Sequence, residues 1–258
     1  MDASEKVKGD LIAKYDGEAT EKDNATWLSV GGSARVPESK ASHYFIDRKV
    51  GEALKLCGTS AAHPSQALEI GCSFGHMTSL LATRCEHLTA VDLSPSSIAI
   101  AERRLRQYGI TNVSFAVDDA ESLARLPDET FDVVFSFSMI RYCPDPASAL
   151  RAIRRKLRPR GIALVDFPNR YSPWHLVVKR LFGIRVHVHD TLYTKQEAVR
   201  LFERAGFRVE GVKQFLFTTK RLPAALLPLF KAVDFVLERL PLFPHLAGII
   251  LVKGVKER

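Results

Sequence analysis

One apolar segment followed by glycines constrains this sequence more than any other feature. Residues 67–75 read Ala-Leu-Glu-Ile-Gly-Cys-Ser-Phe-Gly, and a second apolar segment, residues 88–92, ends in Asp92. An apolar run that ends in small residues is typical of a buried strand that turns sharply into a helix. A carboxylate at the end of the next strand can accept hydrogen bonds from both hydroxyls of a ribose. This pattern predicts a site for an adenosine cofactor.

The spacing of the glycines argues against a dinucleotide. A loop that binds a pyrophosphate follows the pattern G-x-G-x-x-G, which lets the backbone approach the phosphates at a helix N-terminus. Ser73 and His76 stand at the second and third glycine positions. A nicotinamide oxidoreductase is therefore disfavoured.

The motifs instead resemble those of the class I S-adenosylmethionine-dependent methyltransferases. The pattern Glu69-x-Gly71-x-Ser73-x-Gly75, followed by Asp92, is similar to the first motif of that family. Further similarities follow in the expected order: Asp118-Asp119-Ala120 after a third strand, residues 131–136 as a fourth strand, the turn at 157–161, and Ala205-Gly206-Phe207. Together they cover about residues 66–217, so the resemblance does not depend on one short motif.

The resemblance implies S-adenosylmethionine as the cofactor and assigns roles to individual residues. Glu69 and the backbone of Gly71 would hold its amino-acid end, Asp92 its ribose, and Asp119 with Ala120 its adenine. The full predicted set of cofactor-binding residues is Glu69, Gly71, Cys72, Ser73, Gly75, Asp92, Leu93, Asp119, Ala120 and Ser136. We expect Gly71 to tolerate no side chain, because cofactor and backbone would touch there.

The alternation of apolar strands with helical stretches predicts an α/β fold with a parallel sheet that is covered on both faces. With the resemblance, the expectation is a Rossmann-like, doubly wound, seven-stranded and mostly parallel sheet whose last strand is antiparallel. We divide the chain into an N-terminal helical cap (1–65), a cofactor-binding core (66–217), and an apolar insertion with the final strand (218–258). Gly31, Gly32 and Pro37 predict that the cap holds short helices and loops.

The acceptor is less well defined by the sequence. The segment after the fourth strand lacks the Asn/Asp-Pro-Pro-aromatic tetrapeptide by which related enzymes hold a planar amino group, which favours an oxygen or carbon of a small or lipid-like molecule. His187 and His189, in the long connection 168–193, are the candidate general bases. The candidate substrate-binding residues are Tyr44, Tyr142, Asn169, Tyr171, Phe230 and Val233. We predict no metal site.

The insertion at residues 218–246 contains a helix that is apolar around most of its circumference. Lys231, Asp234 and Glu238 form one narrow polar stripe on it. So wide an apolar face must be covered by protein, by substrate or by a membrane. Core packing, a lid over the acceptor and peripheral membrane contact therefore all stay open.

Two other classes of function are consistent with parts of the sequence. The net charge of +8, and four arginines predicted on one face of a helix at 146–158, suggest a nucleic-acid methyltransferase. No aromatic residues alternate with these charges to stack on bases, so a nucleic-acid partner is disfavoured. The second alternative is a regulatory protein that binds S-adenosylmethionine without catalysis. Because no signal peptide or long apolar run is evident, we expect a cytoplasmic protein.

Overall fold

The computed structural model describes residues 3–23, 40–58, 63–178, 190–219 and 223–257. In these ranges the helices are α1 (Ala3–Asp23), α2 (Lys40–Cys57), α3 (Thr78–Leu81), α4 (Pro95–Gln107), α5 (Pro146–Lys156), α6 (Lys195–Arg204) and α7 (Leu227–Leu237). The strands are β1 (Gln66–Ile70), β2 (His87–Asp92), β3 (Val113–Val117), β4 (Phe131–Ser136), β5 (Leu157–Pro168), β6 (Phe207–Phe215) and β7 (Ile249–Lys256). A single π-helical turn, Trp174–Val178, follows β5.

The strands form one sheet of seven strands in the order β3-β2-β1-β4-β5-β7-β6. The first five strands in the chain pair in parallel, and β7 runs antiparallel to both β5 and β6. This topology confirms the predicted fold. The strand order reverses between β1 and β4, so the carboxyl ends of these two strands enclose the crevice where such sheets bind ligands.

Helices cover both faces of the sheet because the central strands, such as β1 and β4, have buried apolar side chains on both faces. Leu150 and Ile153 of α5 and Phe202 of α6 are buried on one face. Val50 of α2 and Leu81 of α3 are buried on the other. Full burial of one such side chain contributes about 1.5 to 3 kcal/mol. None of the described helices is both long and apolar enough to cross a membrane.

The N-terminal helices are longer than the short helices that the sequence predicted. Helix α1 has 21 residues and α2 has 18, whereas Gly31 and Pro37, on which the expectation rested, lie outside the described residues. Contacts with the core stabilise α1, since Leu11 is buried and Ser94, at the start of α4, donates a hydrogen bond to Asp16 at 2.6 Å. Such tertiary contacts outweigh intrinsic helix propensity.

The prediction that a helix at 146–158 has one basic face is wrong. Helix α5 ends at Lys156, and Leu157 has an extended backbone and pairs with Phe131 of β4. Arg158 therefore lies in β5, where it forms an ion pair with Asp132 at 2.5 Å. The four arginines therefore do not share one helix face. A shared face was the main observation in favour of a nucleic-acid-binding surface.

Candidate functional site

The turn after β1 is fixed by hydrogen bonds to β2. The N–H groups of Gly71 and Cys72 both donate to the carbonyl of Val91, at 2.8 and 3.1 Å. Gly71 has a φ of +81°, in the left-handed region that favours glycine. A Cβ added to Gly71 would lie 2.7 Å from the Cβ of Met139, in the loop after β4. This close approach of two loops is a reason for glycine that the sequence analysis did not include.

Asp92 connects this turn to β2. Its carboxylate accepts hydrogen bonds from the backbone N–H groups of Ser73, at 2.8 Å, and Ser94, at 3.0 Å. Burial raises the pKa of Asp92, and these backbone amides oppose the rise. Each carboxylate oxygen can accept more than one hydrogen bond, so Asp92 keeps acceptor capacity toward the cavity that it lines.

Glu69, on β1, is a carboxylate with an unsatisfied oxygen. The residue is 2% exposed, and its Oε2 has no hydrogen-bond partner among the described residues. Burial raises the pKa of Glu69 to about 7, and the Thr78 hydroxyl partly opposes the rise. A buried, unpaired carboxylate is costly unless a cation or a donor satisfies it. The ammonium group at the amino-acid end of S-adenosylmethionine is a donor of the kind that this oxygen lacks.

Helix α1 covers the other end of the cofactor region. Lys8 Nζ lies 2.7 Å from Asp119 Oδ2 and 2.5 Å from Glu121 Oε2. The ring of Tyr15 meets the ring of Tyr142 edge to face, with centroids 6.2 Å apart. These contacts join α1 to the ends of β3 and β4. Side chains of α1, including Lys8 and Tyr15, thus line the cavity.

The cofactor region continues into an aromatic region within one cavity of about 550 Å³. The aromatic residues that line this second region are Phe45, Phe137, Trp174 and Phe217, with Ser138, His175 and Thr218 beside them. We call it the acceptor end of the cavity. Apolar walls with a few polar groups are typical of small-molecule sites.

Comparison with known proteins agrees with this architecture. Residues 68–165 match the family model described as a methyltransferase domain. Residues 68–165 thus form a methyltransferase domain, and the comparisons support a class I S-adenosylmethionine-dependent methyltransferase. It is 29% identical over 152 residues to a ubiquinone biosynthesis O-methyltransferase of Aeromonas salmonicida, covering 56% of this chain and 63% of the relative. It is 32% identical over 120 residues to a malonyl-[acyl-carrier protein] O-methyltransferase of Serratia marcescens, covering 46% and 44%.

The chain thus matches less than two thirds of the length of these curated relatives. Among solved structures, a putative methyltransferase of Haloferax volcanii, in complex with the Trm112 activator, superposes with a TM-score of 0.66 at 20% identity and covers 95% of this chain and 98% of that one. The N-methyltransferase NodS of Bradyrhizobium japonicum, in complex with S-adenosylhomocysteine, gives 0.62 at 16% identity, covering 96% and 100%. At these identities the structures establish the methyltransferase fold alone.

Most of the predicted cofactor-binding residues line the same cavity. They are Glu69, Gly71, Cys72, Ser73, Asp92, Leu93, Asp119 and Ala120. Gly75 and Ser136 lie outside it. A Cβ on Gly75 would meet Leu105 of α4 at 2.9 Å, so that glycine allows the turn and the helix to pack closely. Ser136 is fully buried within β4.

The predicted substrate-binding residues are dispersed. Tyr142 lines the cavity, whereas the Tyr44 hydroxyl donates to Asp234 at 2.9 Å and joins α2 to α7. The Asn169 amide donates to the carbonyls of His245 and Ala247, both at 2.7 Å, and Tyr171 is 48% exposed at the surface. Phe230 and Val233 are half-buried on α7, outside the cavity. His187 and His189 lie outside the described residues, so their role stays a prediction.

Several residues at the acceptor end were not singled out from the sequence. Trp174 and His175 belong to the long connection after β5, which the sequence marked as functional only through its length. Phe45 is the neighbour of Tyr44, the aromatic residue that the sequence analysis chose. The switch point predicts from the sequence that the methyl group of the cofactor points toward the loop after β4, residues 136–142. Phe137 and Ser138 lie in that loop, although neither was chosen as a candidate substrate-binding residue.

Proposed function

We propose that this protein transfers a methyl group from S-adenosylmethionine to an oxygen or carbon of a small or lipid-like molecule. The observation that carries the proposal is the continuity of the cavity, which has a carboxylate-lined region at one end and an aromatic region at the other. The relatives named as O-methyltransferases support an oxygen acceptor. For such a reaction the protein has mainly to align the two reactants and exclude water.

Different residues of the site would bind the cofactor and exclude water. When bound, S-adenosylmethionine supplies a methyl group that is already activated by its positively charged sulfur. Glu69 would hold the ammonium group of the cofactor and Asp92 its ribose hydroxyls. Phe45, Phe137 and Trp174 would exclude water around the acceptor.

His175 is the best-placed described residue to take a proton from a hydroxyl acceptor. It lies at the acceptor end beside Trp174, and histidine exchanges protons near neutral pH. If it is the base, kcat/KM should fall at low pH, and His175→Gln should remove that dependence. His187 and His189 remain the other two candidates.

The direct test of the function is release of S-adenosylhomocysteine in the presence of a panel of acceptors. The panel contains a catechol carboxylate, a catechol with a long alkyl chain, a malonyl thioester and an RNA oligomer. These compounds sample phenolic and carboxylate oxygens, with and without a lipid-like chain, and the nucleic-acid alternative. We expect a product heavier by one methyl group from a small-molecule acceptor. Tight binding of S-adenosylhomocysteine without any methylated product would support the regulatory alternative.

Asp92→Ala tests the cofactor end separately. Loss of charge-assisted hydrogen bonds to the ribose should cost about 2 kcal/mol, or roughly a 30-fold weaker Kd for S-adenosylhomocysteine by calorimetry. Asp132→Ala, at an ion pair outside the cavity, is the matched control and should bind as wild type does. An unchanged Kd for Asp92→Ala would mean that the ribose lies elsewhere.

We further propose that the insertion contacts an anionic lipid surface. Between residues 226 and 243, the large apolar side chains that are at least 40% exposed are Leu226, Leu229, Phe235, Val236, Leu240, Leu242 and Phe243. We call this set the apolar patch. An exposed apolar surface of this kind marks an interaction site. Phe230 and Val233, the predicted substrate-binding residues of this segment, are half-buried and do not belong to the patch.

The charges beside the apolar patch favour a membrane as the partner. Asp234 faces the protein, where it accepts from the N–H of Phe217 at 2.6 Å, and Glu238 accepts from the N–H of Leu216 at 2.9 Å. Lys231 and Arg239 are exposed. The two acidic side chains are thus engaged by the protein, whereas the two basic ones are exposed beside the apolar patch, which complements anionic lipid headgroups.

Vesicle binding tests this surface. We expect sedimentation with vesicles of phosphatidylcholine and phosphatidylglycerol, and much less with phosphatidylcholine alone. Lys231→Gln/Arg239→Gln should weaken binding by about 1 kcal/mol per cation, and Leu229→Ser/Phe235→Ser should abolish it. Arg103→Gln/Arg106→Gln removes two exposed cations from α4 and should bind as wild type. Equal loss in that control, or dimerisation through the patch in light scattering, would contradict the proposal.

A further inference from the structure

A buried ion pair lies directly behind the acceptor end. Lys49 of α2 is 0% exposed and Asp166 of β5 is 1% exposed, and the two side chains form a salt bridge. Lys49 Nζ also donates to Ser138 Oγ at 2.5 Å, and the Ser138 N–H donates to Asp166 Oδ1 at 2.6 Å. These three residues, the Lys49–Asp166–Ser138 network, join α2, β5 and the loop after β4. A buried charged pair of this kind is weak evidence for stability by itself, so another role has to be sought.

Ser138 is the member of the network that faces the cavity. It is half-buried and lines the acceptor end. Its φ of +58° lies in the left-handed region, which is costly for a residue other than glycine. Lys49 and Asp166 hold both the hydroxyl and the backbone N–H of Ser138 in this conformation. Such strain is typical of functional sites.

The direction of the hydrogen bonds determines what Ser138 offers to a ligand. An ammonium group can only donate, so Ser138 Oγ accepts from Lys49 and its own hydrogen must point elsewhere. Within the described ranges, the structure records no acceptor for that hydrogen. A hydroxyl that accepts a hydrogen bond from a cation also becomes a stronger donor. Ser138 therefore presents a polarised O–H donor to the acceptor end.

The charges around the acceptor end are paired. Burial lowers the pKa of Lys49 and Asp166 raises it, and the nearby Arg141, which lines the cavity, lowers it further. Their carboxylate partners, Asp166 and Asp190, are both engaged in ion pairs. The carboxylate oxygen that lacks a partner, Glu69 Oε2, lies at the cofactor end instead. A cationic cofactor would thus meet a carboxylate with free acceptor capacity, whereas an anionic acceptor beside Ser138 would meet carboxylates that are already paired.

We propose that Ser138, polarised by Lys49, binds an anionic oxygen of the acceptor, such as a phenolate or a carboxylate. This inference rests on the proposed methyl transfer and narrows its substrates to molecules with an acidic oxygen. Ser138 contacts the acceptor, whereas Lys49 and Asp166 are positioning residues. Hydrogen-bond donors that point at a negatively charged oxygen, in a site from which water is excluded, give some of the largest electrostatic stabilisation in enzymes.

The test uses 4-nitrocatechol, whose phenol and phenolate forms absorb at different wavelengths. Its absorbance is titrated with pH on the protein saturated with S-adenosylhomocysteine. On wild type the phenolate should form at least about one pH unit lower than in buffer, which is a tenfold preference for the anion. Ser138→Ala and Lys49→Met should abolish this shift, and Ser114→Ala, a serine on β3 outside the cavity, should retain it.

Calorimetry with S-adenosylhomocysteine on the same proteins separates the two proposals. If wild type does not bind S-adenosylhomocysteine, the proposed function itself fails. If it does bind but 4-nitrocatechol either fails to bind or titrates as it does in buffer, only the inference about Ser138 is overturned. A shift that survives in Ser138→Ala also overturns it. Should Lys49→Met unfold, Ser138→Ala decides the question alone.

Discussion

Gly71→Ala should destabilise the protein by about 3 kcal/mol, measured as the free energy of unfolding in urea. A left-handed φ of +81° is costly for alanine, and the new Cβ would lie 2.7 Å from Met139 Cβ. Backbone strain and overpacking each cost about 1 to 3 kcal/mol. The contact between Gly71 and Met139 joins the turn after β1 to the loop after β4. Movement of these two segments to relieve the clash should therefore also disturb both ends of the cavity.

Gly109→Ala is the matched control for the backbone contribution alone. Gly109 has a φ of +68°, but no atom lies within 4 Å of the position that its Cβ would take. This variant should lose only about 1 kcal/mol. In a double-mutant cycle, Met139→Gly should recover part of the loss caused by Gly71→Ala. Equal losses at Gly71 and Gly109 would show that the contact with Met139 does not constrain the turn.

The sheet was predictable because its strands are apolar, short and separated by helical segments. The apolar segment that begins the first motif at Ala67 is the strand Gln66–Ile70, and the third strand, expected before Asp118, is Val113–Val117. The end of α5 was missed because Leu157 continues the apolar period of the helix. It instead pairs with Phe131, a tertiary contact that local periodicity does not report.

The cofactor end of the site was predictable for a related reason. Its residues follow the ends of consecutive strands, so a short motif in the sequence becomes one edge of the cavity. The acceptor end combines side chains that are distant in the sequence, such as Lys49 and Asp166. Tyr44 and Phe45 show the difficulty directly. Neighbours on a helix point about 100° apart, and Tyr44 points to α7 whereas Phe45 lines the cavity.

Glu69→Gln should weaken the binding of S-adenosylhomocysteine by about 3 kcal/mol at pH 8, or roughly 150-fold in Kd. At that pH the buried carboxylate is ionised, and it would pair with the ammonium group of the ligand. Because burial raises the pKa of Glu69 to about 7 in the free protein, the carboxyl is neutral at lower pH. Binding of a cation favours the ionised form. The Kd of wild type should therefore be constant above about pH 7 and rise about tenfold per pH unit below it.

His76 provides the control that decides the origin of this pH dependence. It also lines the cavity, and a protonated imidazole there would repel the ammonium group of the ligand and weaken binding in the same direction. We expect His76→Gln to keep the rise in Kd below pH 7, and Glu69→Gln to show weak binding without it. If His76→Gln removes the dependence and Glu69→Gln retains it, the ammonium group of the ligand does not lie at Glu69.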